Sequence, residues 1–305
     1  ELSLLISQKL LNNDLENVVY QSSVGMILNN LGALLSNRGR IEEAKHRYEK
    51  ALKMYEKLLE NDPKNVAYQS YVGGTLSNLG LLLSDMGHLE ESKQRYERAL
   101  KMYETLLNND SRNIVYQSDI AMTLNNLGNL LWKMGSIEEA KQSYEKALKI
   151  YEKLLENNPK NVTYQFYLGK TLNNLSALLW NMEFIEEAKQ RYEKTLEMRQ
   201  KLLKNDLENV AYQSDVAMTL NNLGLLLSDM GFIEEAKQRY EKALEMRQKL
   251  LNSDPENIVY QSYVGTTLNN LGYLLSENMR RIEEAKQRYE ESLSIYTEPM
   301  QYLTI

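Results

Sequence analysis

Residues 65–110 read NVAYQSYVGGTLSNLGLLLSDMGHLEESKQRYERALKMYETLLNND, and the Tyr68-Gln69 pair near their start recurs every 48 residues, at Tyr20, Tyr116, Tyr164, Tyr212 and Tyr260. A fixed period repeated six times marks an array of one supersecondary unit. Each unit of such an array leans on its neighbours to bury its apolar face, so the expectation is one solenoid over 1–305 with no single catalytic centre.

Two amphipathic helices can be read in the quoted segment. Helix A spans 65–85, where Tyr68, Val72, Leu76, Leu79 and Leu83 are spaced by three or four residues on one face. Asp62 and Pro63 supply a start signal and Gly87 a stop. Helix B spans 89–107, with Ser92, Tyr96, Ala99, Leu100, Tyr103 and Leu107 as its inward stripe and Glu90 and Glu91 at the positive end of its dipole. The same plan returns as IEEAKHRYEKALKMYEKLL from Ile41 and IEEAKQRYEKALEMRQKLL from Ile233.

Composition narrows the function. The net charge of −6 argues against a protein built to neutralise nucleic-acid phosphates. The chain has no cysteine, hence no disulfide, thiolate metal site or cysteine nucleophile, and a cytoplasmic setting is expected. No stretch reads as a membrane span or a signal peptide. The two histidines, His46 and His88, occupy different repeat positions and imply neither a metal pair nor a catalytic dyad. No cofactor and no enzymatic activity are expected. The Glu-Lys pairs on helix B, such as Glu49 with Lys53 and Glu145 with Lys149, read as a solvated face.

Leu79, Gly80, Leu83, Gly87, Tyr96 and Ala99, and more fully Leu31, Gly32, Gly39, Ala44, Tyr48 and Ala51, resemble the tetratricopeptide signature. The resemblance covers nearly the whole chain and implies an all-α, right-handed α-α superhelix. A tetratricopeptide unit has about 34 residues, whereas this one has 48. The added residues amount to nearly two turns on each helix, which keeps the same faces toward the same neighbours. The unit is similar to the long repeats of the kinesin-light-chain type. The expected partition is a partial helix B at 1–14, repeats at 15–62, 63–110, 111–158, 159–206, 207–254 and 255–298, and a tail at 299–305. Because the first residues align with the second half of a helix B, the chain reads as a fragment of a longer protein. The apolar MQYLTI at the end is expected to cap the array.

The resemblance places helix A on the concave side. With Leu28 at the centre of the buried stripe, a step of 100° per residue puts Met26, Asn30, Ala33 and Asn37 on the opposite side. That face carries an asparagine in every repeat: Asn30, Asn78, Asn126, Asn174, Asn222 and Asn270. An amide offers a donor and an acceptor, so the column could hold the backbone of an extended peptide, or instead bond neighbouring helices and orient the stack. Around it the residues vary. One column runs Met26, Gly74, Met122, Lys170, Met218, Thr266, and another alternates Ser23, Tyr71, Asp119, Tyr167, Asp215, Tyr263. Prolines precede only the even repeats, at Pro63, Pro159 and Pro255, which makes three 96-residue doublets. Asp85, Asp119, Asp215, Asp229 and Glu277 face the groove, against only Lys133 and Lys170 of opposite sign. The expected partner is therefore a protein segment with apolar anchors and some basic residues, not nucleic acid or membrane. A structural or self-associating spacer or sensor module of a larger signalling protein is the alternative.

Two repeats depart from the plan. The fourth replaces both glycines, with Ser176 and Glu183, so a kink or a specialised pocket with Phe166 and Lys170 is expected there. The sixth carries one extra residue in ENMRR, and its helix B meets Pro299.

Overall fold

The computed structural model describes Asp14 and residues 16–297, and every element among them is helical. The order is α1 Val18–Asn37, α2 Ile41–Asn61, α3 Val66–Asp85, α4 Leu89–Asn109, α5 Ile114–Lys133, α6 Ile137–Asn157, α7 Val162–Asn181, α8 Ile185–Asn205, α9 Val210–Asp229, α10 Ile233–Ser253, α11 Ile258–Tyr273, a π-helical turn Leu274–Asn278, and α12 Ile282–Thr297. Odd-numbered elements are the A helices and even-numbered ones the B helices. The segments 1–13 and 298–305, to which a partial helix B and a capping tail are assigned above, lie outside the described residues.

The period has a local cause. Three residues before each recurring tyrosine stands an asparagine, and Asn17, Asn65, Asn113, Asn161, Asn209 and Asn257 are the N-caps of the six A helices. The Tyr68 amide donates to Asn65 Oδ1 at 3.2 Å, which satisfies one of the orphan donors of the first turn. The cap therefore sits later than the start signal read at Asp62 and Pro63. Asp62 acts one step behind it, accepting from Asn65 Nδ2 at 3.1 Å and fixing the cap's orientation. Helices α2, α4, α6, α8 and α10 have no side-chain cap, and Glu pairs such as Glu90 and Glu91 complement the dipole of their first turns.

Each A helix packs against the B helix that follows it, and each B helix against the next A helix within its unit. On α4 the buried stripe is Ser92, Tyr96, Ala99, Tyr103 and Leu106, so it ends at Leu106 rather than Leu107; Leu100 and Leu107 are half-buried. The B-helix tyrosines Tyr48, Tyr96, Tyr144, Tyr192 and Tyr240 are core residues as read from the sequence, but Tyr289 is 40% exposed. No described helix follows α12 to cover it.

The described helices divide between Pro159 and Lys160 into two compact units. Within the first, successive A helices touch directly, α1 with α3 and α3 with α5, and in the second α7 touches α9. Successive B helices of the first unit are linked instead by long charged side chains, Arg98 to Glu56 at 2.7 Å and Lys93 to Glu139 at 3.7 Å. The A helices thus form the inner, closer-spaced side of the unit.

The irregular repeats are absorbed without loss of helix. Helix α7 runs unbroken over 20 residues, with Ser176 fully buried and its hydroxyl donating to the Leu172 carbonyl at 2.7 Å. At the A-to-B turn, Glu183 adopts φ 66°, the left-handed conformation that Gly39, Gly87, Gly135 and Gly231 hold in other repeats. A side chain is strained there, so Glu183→Gly is expected to stabilise the protein by about 1 kcal/mol, read as a higher urea midpoint; an unchanged or lower midpoint would mean the Glu183 side chain makes a compensating contact. The extra residue of the sixth repeat is taken up by the π turn, and Arg280 at φ 55° then stands where the glycine was.

Helix α1 corrects one expectation. With 20 residues and a mean hydropathy of 1.2 over its most apolar window, it is long and apolar enough to cross a bilayer by length and composition. In the fold it is the A helix of the first pair, with Val24, Leu28 and Leu35 buried.

Candidate functional site

The inner face of the first unit presents side chains that the packing leaves available. Met26 is 49% exposed and Tyr71 lies over Tyr55 with ring centroids 5.0 Å apart. Between α3 and α5 an open cleft of about 410 Å³ is lined by Leu81, Asp85, Asn126, Asn129, Trp132 and Lys133, among others. Lys133 closes one end, 3.6 Å from Asp85 Oδ1 and donating to Ser84 Oγ at 3.2 Å. Asn129 is drawn into the wall, its Oδ1 accepting from the Tyr144 hydroxyl at 2.6 Å.

The asparagine column is not uniform. Asn78 Nδ2 donates to Asn29 Oδ1 of the preceding repeat at 3.2 Å, and Asn270 Nδ2 donates to Asn221 Oδ1 at 3.2 Å. These two amides tie successive A helices together, and each keeps its own carbonyl outside that bond. Asn126 accepts from its neighbour Asn125 at 3.4 Å, a bond within one helix. The side chain of the half-buried Asn222 makes no hydrogen bond among the described residues, and neither does that of the exposed Asn30. Asn78 and Asn270 thus lace successive A helices, whereas the Asn30 and Asn222 side chains make no such bond among the described residues.

The alternating column acquires a second partner that the sequence reading missed. Four residues of the column, Tyr71, Asp119, Asp215 and Tyr263, each sit against a residue of the B helix before, Tyr55, Tyr103, Arg199 and Arg247 in turn, at a register that reads Tyr55, Tyr103, Tyr151, Arg199, Arg247, Tyr296 along the chain. Two arginines stand where the others have tyrosine, and both are buried, at 2% and 5% exposure. Arg199 Nη1 donates to the Asp215 carbonyl at 2.9 Å and to Thr219 Oγ1, while Nη2 lies 3.6 Å from Asp215 Oδ1. Arg247 Nη1 donates to the Tyr263 carbonyl at 2.8 Å and to Thr267 Oγ1, and its guanidinium lies 5.1 Å from the Tyr263 ring centroid, a cation-π contact. The signal was present, since MRQ replaces the MYE of the first two repeats at a fixed register. An arginine on a helix otherwise rich in surface charge reads as solvated.

Burial sets the charge balance of the second unit. It lowers Arg247 to about 10, and no carboxylate pairs with that guanidinium among the described residues. Burial also lowers Arg199, against the opposing pull of Asp215. Desolvation lowers the pKa of Lys170, opposed by Asp215 and reinforced by Arg199. Asp215 is raised by burial and pulled back by Arg199 and then Lys170. In the first unit Asp119 is raised to about 6 by burial alone. Met122, Tyr167 and Met218 are half-buried on the same A-helix faces, and Tyr167 meets Phe166 edge-on at 5.3 Å. No cluster of three or more His, Asp or Glu suited to a metal ion occurs among the described residues.

No curated protein matches the chain. Among solved structures, BtubC (BKLC) from P. vanneervenii is similar at a TM-score of 0.65, with 21% identity over 84% of this chain and 91% of that one. The apo form of RapI is similar at a TM-score of 0.64, with 16% identity over 94% of this chain and 68% of that one. Identities this low speak to the shared helical fold alone. Tetratricopeptide repeat models match residues 23–105 and 215–298, and 120–159 and 168–206. Those matches span most of an array of helix pairs whose small, aromatic and turn residues occupy the places the signature requires, and the chain belongs to the tetratricopeptide repeat family.

Proposed function

We propose that this chain is a protein-interaction scaffold that binds an extended peptide segment along the inner faces of its A helices, in a cytoplasmic setting and without catalysis of its own. Tetratricopeptide repeats are protein–protein interaction modules. The observation that carries the reading is the cleft between α3 and α5, which combines apolar walls at Leu81 and Trp132 with the amide of Asn126. Pockets of this make-up suit side-chain anchors, while an outward amide suits a peptide N–H or C=O.

The column then divides by role. Asn126 and Asn222 are the peptide-contacting amides, whereas Asn78 and Asn270 spend a donor on the stack. The test uses fluorescent libraries of extended nonapeptides. Asn126→Ala with Asn222→Ala is expected to weaken retention of the library at least tenfold and to leave the melting temperature within about 2 °C of the parent, since neither amide makes an inter-helix bond. Asn78→Ala is expected to lower the melting temperature instead. A sharp loss of stability in the first variant with peptide retention unchanged would assign the whole column to the stack.

A further inference from the structure

The array contains two aspartates at the same structural position, and only one has a cation. Asp215 on α9 is flanked by Arg199 from the B helix before it, at 3.6 Å, and interacts with Lys170 from the A helix before that. One doublet earlier, Asp119 occupies the equivalent place on α5. There the Arg199 position is Tyr103 and the Lys170 position is Gly74. Both built-in cations are missing at the first aspartate; the Tyr103 ring fills one place, and the other stands open over Gly74. A Cβ placed on Gly74 would meet only the Tyr103 hydroxyl, at 3.5 Å, with nothing else within 4 Å.

The groups around Asp119 leave its charge uncompensated. From α4 comes the Tyr103 hydroxyl, whose pKa is raised by burial and then by the Asp119 charge. From α6 comes the Tyr151 hydroxyl, which reaches the adjacent Ser118 carbonyl at 3.5 Å. From α3 come Gly74 and Ser77, and the Ser77 hydroxyl bonds Thr123 Oγ1 at 3.1 Å. None is a cation. Along α3, Tyr71, Gly74 and Asn78 share one face, and along α5 so do Asp119, Met122 and Asn126. The vacancy therefore opens on the face assigned above to peptide.

We propose that Gly74, Tyr103 and Asp119 form a socket for one lysine or arginine side chain of the bound partner, which enters over Gly74 and takes the place that Lys170 fills beside Asp215. This rests on the peptide-binding reading and adds to it a residue class at a defined point. A half-buried carboxylate without a partner is unfavourable by itself, so a cation arriving from a ligand recovers more than it would at an exposed acid. The glycine makes the path and the aspartate makes the charge selectivity.

The experiment compares three nonapeptide libraries that differ only at the central residue, lysine, glutamine or glutamate, on the full chain. At pH 7.5 the lysine library is expected to be retained about tenfold more strongly than the glutamine library, and the glutamate library no better than glutamine. Burial raises Asp119 to about 6, so at pH 5 the carboxyl is largely protonated and the lysine preference is expected to fall away. Asp119→Asn is expected to abolish the preference at both pH values, and Gly74→Lys, which supplies the cation from within, to abolish it as well. A stability measurement checks the free protein independently. A carboxyl raised in the fold contributes stability below its unfolded pKa that is lost as pH rises through about 6. Asp119→Asn should therefore gain more in melting temperature over the parent at pH 7.5 than at pH 5, which lies inside the window between the unfolded value and about 6.

Equal retention of the lysine and glutamine libraries by the parent protein overturns the socket while leaving the peptide groove intact. A lysine preference that survives Asp119→Asn overturns it as well. Retention of none of the three libraries overturns the groove reading and the socket with it.

Discussion

Replacing Asp215 with alanine is expected to destabilise the second unit by about 3 kcal/mol, seen as a lower urea midpoint and faster amide exchange in α8 and α9. The physical reason is what the substitution leaves behind. Arg199 is 2% exposed, its Nη1 is anchored to the Asp215 carbonyl, and its Nε and Nη2 already lack hydrogen-bond partners. Without the carboxylate, two cations, Arg199 and Lys170, share a site with no anion, and a buried unpaired charge is far costlier than an absent pair. The array supplies the control. The equivalent residues in the first pair of repeats are Met26, Tyr55 and Tyr71, whose rings stack at 5.0 Å. Lys170→Met with Arg199→Tyr and Asp215→Tyr should thus fall within about 1 kcal/mol of the parent, because replacing all members of a buried charge cluster with packed groups removes the desolvation cost along with the attraction. If Asp215→Ala alone proves neutral, Arg199 must reach water, and the balance drawn here for the second unit fails.

Tyr144→Ala is expected to have the larger effect, a loss of about 4 kcal/mol. The side chain is fully buried, and its ring lies so close to α5 that a Cβ on Gly128 would come within 2.6 Å of it. Its hydroxyl also holds Asn129 at 2.6 Å. Truncation leaves a ring-sized cavity at the crossing of α5 and α6, together with an unpaired amide oxygen in the cleft wall. Because each repeat is stabilised by its neighbours, the defect should open both helices, with amide exchange accelerating across 114–157. Tyr289→Ala removes the same residue type from the same repeat position, but that ring is 40% exposed, so the loss should stay near 1 kcal/mol. Equal losses at the two sites would mean that the glycine-tyrosine interlock is not what joins helix A to helix B.

Much of this architecture was legible in the chain. The 48-residue period, the apolar spacing of Val72, Leu76, Leu79 and Leu83, and the glycine turns define the helix pairs because helical faces follow from a 3.6-residue repeat. The A-helix face is legible for the same reason, so Met26, Tyr71, Asp119, Lys170 and Asn222 all belong to one side. Other features depend on residues distant in sequence. Nothing local distinguishes Asn270, laced to Asn221, from Asn222, whose side chain bonds to nothing described, since both stand in TLNNLG. The capping role of Asn65 is marked by its recurrence, but Asp62 and Pro63 drew attention first. Buried arginines defeat periodicity because their type predicts solvent while their register predicts core, and burial at Arg199 and Arg247 is decided by what packs above them.

By itself the sequence determined that the chain is a tandem of paired helices, where each pair begins and ends, and which side of each A helix remains polar, since these follow from local propensity, capping chemistry and helical geometry. Only the tertiary structure decided which charges are compensated. Asp119 and Asp215 are equivalent letters at equivalent places, and their difference lies in Gly74 against Lys170 and Tyr103 against Arg199, residues brought beside them by the stacking of helices. Electrostatic balance is a property of neighbours in space, and the repeat that makes the scaffold readable conceals where those neighbours have changed.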